Sequence, residues 1–189
     1  VRWTIFAIFA YVFVVLEVSV RHVIMFADIS PSFVAMLVVF IALFAPRTTA
    51  LWAAWMLGLL VDLNTPLMHG SDQVGRLIGP YALGYPFGCV LILQLRAMLF
   101  RRSILTFAVM TTLCVIATSL VVVFIYALHG WYPNEELHWA ELRERDELLR
   151  LLGVAVYSGV LGLVLGRALI WSMPMWTFRT SPTLTGAWR

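Results

Sequence analysis

Six long apolar runs, joined by mostly short polar connections, dominate this chain: Trp3–Val20, Pro31–Ala45, Thr48–Leu63, Gly75–Leu99, Ser103–Leu128 and Leu149–Trp171. Hydrophobic residues make up 62% of the sequence and charged residues 12%, against about a quarter charged in a soluble domain. That leaves too little polar surface to coat a water-soluble globule, so lipid must be much of the solvent. The 189 residues allow one membrane domain and no sizeable soluble one. The expected fold is an all-α integral membrane protein, a six-helix transmembrane bundle over 1–173. An acidic extracytoplasmic segment spans 129–148, and a short cytoplasmic tail covers 174–189.

The first run is longer than a signal-peptide core of about 7–15 residues, and Val20-Arg21-His22 is no small-residue cleavage site. It is read as a retained helix. The second and third runs are short for a hydrocarbon core about 30 Å thick at about 1.5 Å of rise per residue. The third, squeezed between Pro46 and Asn64-Thr65-Pro66, sits in thin bilayer, stops below the headgroups or is re-entrant.

Alternating the spans sorts the charges. One side receives Arg2, Arg47, Arg96, Arg101, Arg102, Arg167, Arg179 and Arg189 and no acid. The other receives Arg21, Arg76, Arg143, Arg145 and Arg150 with all ten acids, Glu17 lying near that end of the first helix. The positive-inside rule counts only the basic residues, and it puts both termini in the cytoplasm. Scattered arginines argue against a nucleic-acid face. Trp131, Tyr132, Trp171 and Trp176 stand where aromatic rings favour the membrane interface.

Between the last two spans, Pro133–Arg150 pairs Glu141 with Arg145, Arg143 with Glu147 and Asp146 with Arg150, each four apart as on an exposed helix. Trp139, Leu142 and Leu149 share one side. The segment reads as a helix lying on the membrane surface, or as an extracytoplasmic docking site centred on Trp139 and Leu142.

Asp62 ends the third run, with Gly58 one turn earlier on the same face. A carboxylate near the apolar layer is expensive unless paired, hydrated or protonated. It is either a coupling or recognition site, or a cap or ion pair that fixes the following turn. Glu17 and Arg21, four apart, are expected to pair locally. His69-Gly70-Ser71-Asp72 has hydrolase residue types without a nucleophile-elbow context, and helix capping accounts for Ser71 or Asp72 more simply. Cys89 and Cys114 lie inside apolar runs with no metal spacing. No catalytic, metal or cofactor site is expected. Helix packing is expected from Gly75, Gly79, Gly84 and Gly88 on the fourth run, where Pro80 and Pro86 should kink the helix. Ala155, Gly159, Gly162 and Gly166 form a stripe on the sixth. Small residues let membrane helices approach closely.

The stretch from Pro31 to Phe100 resembles the rod shape-determining protein MreD family. The features are Ala42-Leu43-Phe44-Ala45-Pro46-Arg47, then Gly58-Leu59-Leu60-Val61-Asp62-Leu63, Pro66-Leu67, and Tyr81-Ala82-Leu83-Gly84-Tyr85. The resemblance implies a non-enzymatic inner-membrane scaffold of bacterial cell-wall elongation. Its partner would be MreC, and it would help connect MreB filaments to RodA and penicillin-binding protein 2. Gly58 and Asp62 are the motif positions. MreD-like proteins also resemble the substrate-binding subunit fold of energy-coupling factor transporters. The alternative is therefore a vitamin-binding subunit with Thr111, Thr112, Thr118, Ser119, Tyr81, Tyr85 and Tyr157 as its polar lining. The Ala-x-x-x-Ala associated with that family's coupling face is replaced here by Ala7 and Ala10, three apart.

A reporter fused after Arg189 is expected to be reachable only from the cytoplasm. Labelling of intact cells by an impermeant reagent at that reporter would reverse the assigned orientation.

Overall fold

The computed structural model describes residues 3–24, 29–64, 67–68, 74–75, 79–96, 104–129 and 144–176. Seven helices follow one another there: α1 Trp3–Ile24, α2 Phe33–Phe44, α3 Arg47–Asn64, α4 Pro80–Leu95, α5 Ile104–His129, α6 Glu144–Trp171 and the single turn α7 Met173–Trp176. Between α3 and α4, β1 Leu67–Met68 pairs antiparallel with β2 Val74–Gly75. Each of the six apolar runs contains a helix. By length and composition, Ile104–Ile125 and Arg150–Trp171 are long and apolar enough to cross a membrane, and Trp3–Ser19, Phe33–Phe44 and Pro80–Leu95 are shorter apolar helices. The architecture is that of a helical membrane protein.

The shortness of the second run has a structural reason. At about 1.5 Å per residue α2 is only about 18 Å long, but it is the central helix. It packs against α1, α3, α4, α5 and α6, and every residue from Phe33 to Leu43 is buried. Protein, not lipid, surrounds it, so its length need not match the bilayer.

Around α2, the helices α3 to α6 pack in series, each on the next. Glycines set the spacing. A Cβ on Gly84 would stand 2.8 Å from Thr118 Cγ2 and 3.2 Å from the Thr118 carbonyl, and one on Gly88 would stand 2.9 Å from Cys114 Sγ. On α6, a Cβ on Gly159 would run into Thr112 Oγ1 and stand 3.2 Å from the Ala108 carbonyl, and Gly166 lies against the Phe107 ring. Gly162 is looser, 3.4 Å from Thr111 Oγ1 in ordinary contact, and Ala155 is fully buried. The stripe of α6 therefore faces α5 within the same chain.

Three expectations need correction. Gly75 belongs to β2, and Gly79 precedes α4 as its N-cap. Neither lies on the packing face of the fourth helix, because Pro80 sits at the first helical position, where its fixed φ and missing N–H suit a helix start. Pro80 thus opens α4, and only Pro86 lies inside it. The acidic stretch 144–150 is not a separate surface helix; it forms the first turns of α6, since no breaker separates Arg150 from Leu151. Trp139 and Leu142 lie outside the described residues. Finally, Trp171 is 86% exposed, as an interfacial ring should be, but Trp176 is fully buried. It packs on Phe9 of α1 and Phe40 of α2, with ring centroids 4.9 and 5.3 Å away. Its indole N–H donates to Ser172 Oγ at 3.1 Å.

Gly159→Leu is expected to destabilise the bundle by about 1–3 kcal/mol through overpacking, whereas Gly162→Ala, whose Cβ would meet only ordinary contacts, is expected to leave it as stable or up to about 1 kcal/mol more stable. Thermal unfolding in mild detergent, followed by circular dichroism, checks both. Equal midpoints for the two variants would contradict the assigned α5–α6 contact.

Candidate functional site

The α3–α4 junction places both motif residues. Gly58 and Asp62 stand one turn apart on the face of α3 that meets the start of α4. A Cβ on Gly58 would overlap the Tyr81 carbonyl oxygen and lie 2.7 Å from Ala82 Cα. These are backbone atoms with no rotamer by which to retreat, so only glycine lets α4 come this near.

That approach creates a need which Asp62 meets. The first N–H groups of any helix lack partners within the helix. The N-cap of α4 is Gly79, at φ 144° and ψ −39°, with no side chain to cap with. This φ is one that L side chains rarely adopt, while a Cβ there would meet nothing within 4 Å. Conformation, not space, calls for glycine at this position. Pro80 brings no N–H. The remaining donors turn to Asp62: Gly79 N and Ala82 N donate to Oδ2, both at 2.9 Å, and Tyr81 N donates to Oδ1 at 3.0 Å. The carboxylate is 2% exposed, and its negative charge lies at the positive end of the α4 dipole. The expected cap on the turn after the third run is thus an N-cap supplied from a neighbouring helix.

A second carboxylate does similar work at α2. Phe33 N and Val34 N donate to Glu17 Oε2 at 2.6 and 3.1 Å. Ser32 accepts from Ala35 N at 3.3 Å, and its own N–H donates to Ser158 Oγ at 2.9 Å. The Ser32 and Tyr85 hydroxyls are 3.1 Å apart. The start of α2 is thereby tied to α1, α4 and α6. Sequence reasoning looked for Glu17's partner at Arg21, whose side chain lies outside the described residues, and missed α2. Pro31-Ser32 ahead of an apolar run was the available signal, since serine is a favoured N-cap. At the far end of α2, Arg96 Nη1 donates to the carbonyls of Ala42 and Ala45, both at 2.9 Å.

Four of the seven hydroxyls proposed as a ligand lining have partners in the bundle, Tyr85 being the one beside Ser32. Thr111 donates to the Phe107 carbonyl, Thr112 to Ala108 and Thr118 to Gly84. An open groove of about 680 Å³ lies between α1 and α3, lined by such residues as Phe6, Ala10, Val14, Met56 and Leu60. None of the seven candidate lining residues borders it. Cys89 and Cys114 are free and buried. Among the described residues no group of three or more His, Cys, Asp or Glu could hold a metal ion. His69–Asp72 lies outside the described residues.

A comparison with family models matches residues 1–138 to MreD, rod shape-determining protein. The chain belongs to the MreD family. The match spans α1 to α5, with Gly58 and Asp62 inside it, and it ends before α6. No curated protein and no solved structure matches the chain. Membership in MreD assigns the chain to rod-shape determination.

Asp62→Ala strands three backbone donors and is expected to cost about 2–4 kcal/mol. Gly58→Ala is expected to cost about 1–3 kcal/mol by forcing α3 and α4 apart. Reversible unfolding in detergent measures both. An Asp62→Ala protein as stable as the parent would show that those donors find other acceptors.

Proposed function

We propose that this MreD chain is a non-enzymatic scaffold of the bacterial cell-wall elongation machinery. In this reading it crosses the inner membrane six times with both termini in the cytoplasm. It binds MreC, and directly or through MreC it links MreB to RodA and penicillin-binding protein 2. The lipid bilayer is its solvent.

The family match over residues 1–138 carries this reading. The use made of the polar groups supports it. Asp62 and Glu17 accept backbone N–H groups, and three threonines donate to backbone carbonyls. Asp62, Glu17 and Thr118 bond between helices and hold them at fixed separations, while Thr111 and Thr112 bond back within α5, and none of this calls for turnover. The charge sorting agrees with the proposed topology. Glu17, Asp62 and the starts of α2 and α4 lie at one end of the bundle. Arg96 lies at the other, beside the end of α2, where α3 begins with Arg47. Arg96 and Arg47 at that end suit an Arg-rich cytoplasmic face under the positive-inside rule, which counts the basic residues alone. Helix-to-helix contact then supplies the assembly energy, through close packing and interhelical hydrogen bonds.

Depleting the protein from a rod-shaped host is expected to round or widen the cells, and MreC is expected to copurify in mild detergent. Asp62→Ala and Gly58→Leu should fail to restore shape. Unaltered rods on depletion, together with no recovered MreC, would reject the scaffold reading.

A further inference from the structure

Enclosure by protein explains why α2 can be short, but it does not explain α3. Trp52 and Trp55 on α3 are 55% and 41% exposed, and Met56, Leu60 and Leu63 are exposed as well. After the polar start Arg47-Thr48-Thr49, the apolar part of α3 is residues 50–63, about 21 Å long. α4, packed along it, has 16 residues, about 24 Å, with Leu83 and Phe87 exposed. α5 and α6 each carry a membrane-crossing stretch of 22 residues, about 33 Å. One edge of the bundle is therefore about 10 Å shorter than the other.

α3 is not re-entrant. It starts just past Ala45, whose carbonyl accepts from Arg96 at the close of α4, and its Asp62 caps the start of α4. It runs the length of α4, from one end of the bundle to the other. Nor does its first half suit hydrocarbon. The Trp52 and Trp55 rings stand edge to face there, centroids 5.9 Å apart. Arg47, Thr48 and, on α4, Gln94 are exposed towards the same end. Trp rings favour the headgroup level, since one part of the indole is apolar and another donates a hydrogen bond. An exposed arginine is expensive in hydrocarbon and pairs well with phosphate. A lipid-facing helix that is too short draws the bilayer thin around itself or associates with another protein. Paired indoles beside a cation match headgroups.

We propose that the α3–α4 edge is a lipid-binding surface that thins the bilayer. Phospholipid headgroups of the leaflet at the Arg96 end rise to Trp52 and Trp55, with their phosphates beside Arg47. This rests on the membrane-spanning reading and on no protein partner.

The test uses the full-length protein in phosphatidylcholine vesicles. Subtracting the emission of the Trp52→Phe, Trp55→Phe double variant from that of the parent isolates the pair. Lipids brominated near the headgroup should quench it about twofold more than lipids brominated near the chain end. The parent should unfold about 3 °C or more higher in bilayers with a core of about 25 Å than in those of about 35 Å. Replacing both rings, Trp52→Leu with Trp55→Leu, should remove that preference. Stronger quenching from the chain end would overturn the proposal, as would a parent no more stable in the thinner bilayer. Quenching from neither depth would put protein on this edge, such as a second copy of the chain, and would overturn it too. Release of the protein from vesicles by alkaline carbonate would remove the membrane-spanning reading itself, and the lipid surface with it. Should the double variants misfold, Trp52→Phe and Trp55→Phe singly give the quenching, and the parent alone gives the dependence on thickness.

Discussion

A helix end inside a membrane is the constraint on which this structure depends. In water, the unpaired N–H and C=O groups at helix termini bond to solvent. In hydrocarbon each unpaired group costs several kcal/mol. α2 is short and enclosed by other helices from Phe33 to Leu43, so protein groups must satisfy its two ends. Glu17, Ser32 and Ser158 serve one end and Arg96 the other. α4 has the same problem at its start and the same kind of answer in Asp62. Each acidic group meets an N-terminus and the basic group meets a C-terminus, so every one of these charges also lies favourably in the helix dipole. Polar residues that look costly on a hydropathy plot are what make a buried, lipid-free helix tolerable.

Caps at these distances demand close approach, and glycine provides it. Gly58 admits the α4 backbone to within reach of Asp62. Gly84 and Gly88 admit Thr118 and Cys114 of α5, and Gly159 admits Thr112. Thr118 then donates across the interface to the Gly84 carbonyl. Lipid is as apolar as leucine, so burying apolar surface gives no drive for these helices to associate. Dense contact and interhelical hydrogen bonds have to do it. The motif pair Gly58 and Asp62 is this rule in its smallest form: one residue removes bulk, and the other uses the nearness gained.

The all-helical fold, the positions of the helices and the α6 stripe were readable because apolar runs and small-residue spacing are local properties. The pairing of Gly58 with Asp62 was readable for the same reason, as two positions one turn apart. What α2 packs against was not. Hydropathy reports that a segment avoids water, and a helix surrounded by protein looks the same as one surrounded by lipid. The spacing of Glu17 to Arg21, whose side chain lies outside the described residues, shows in a sequence, but the bonds of Glu17 to α2 do not, because the N–H groups of Phe33 and Val34 are backbone atoms with no letter of their own. Gly75 and Gly79 were counted as helical because Pro80 was taken for a kink when it is a start. Trp176 was expected at the interface on its residue type alone, and its place between Phe9 and Phe40 depends on the tertiary path of the chain after α6.

That last placement bears on the order in which the molecule can be completed. Trp176 fills a gap between the first helix and the central one, yet it leaves the ribosome after all six long helices have been made. The gap beside Phe9 and Phe40 therefore stays unfilled until α7 has been made. A nascent chain stopped before residue 176 would lack the ring that bridges its first and second helices.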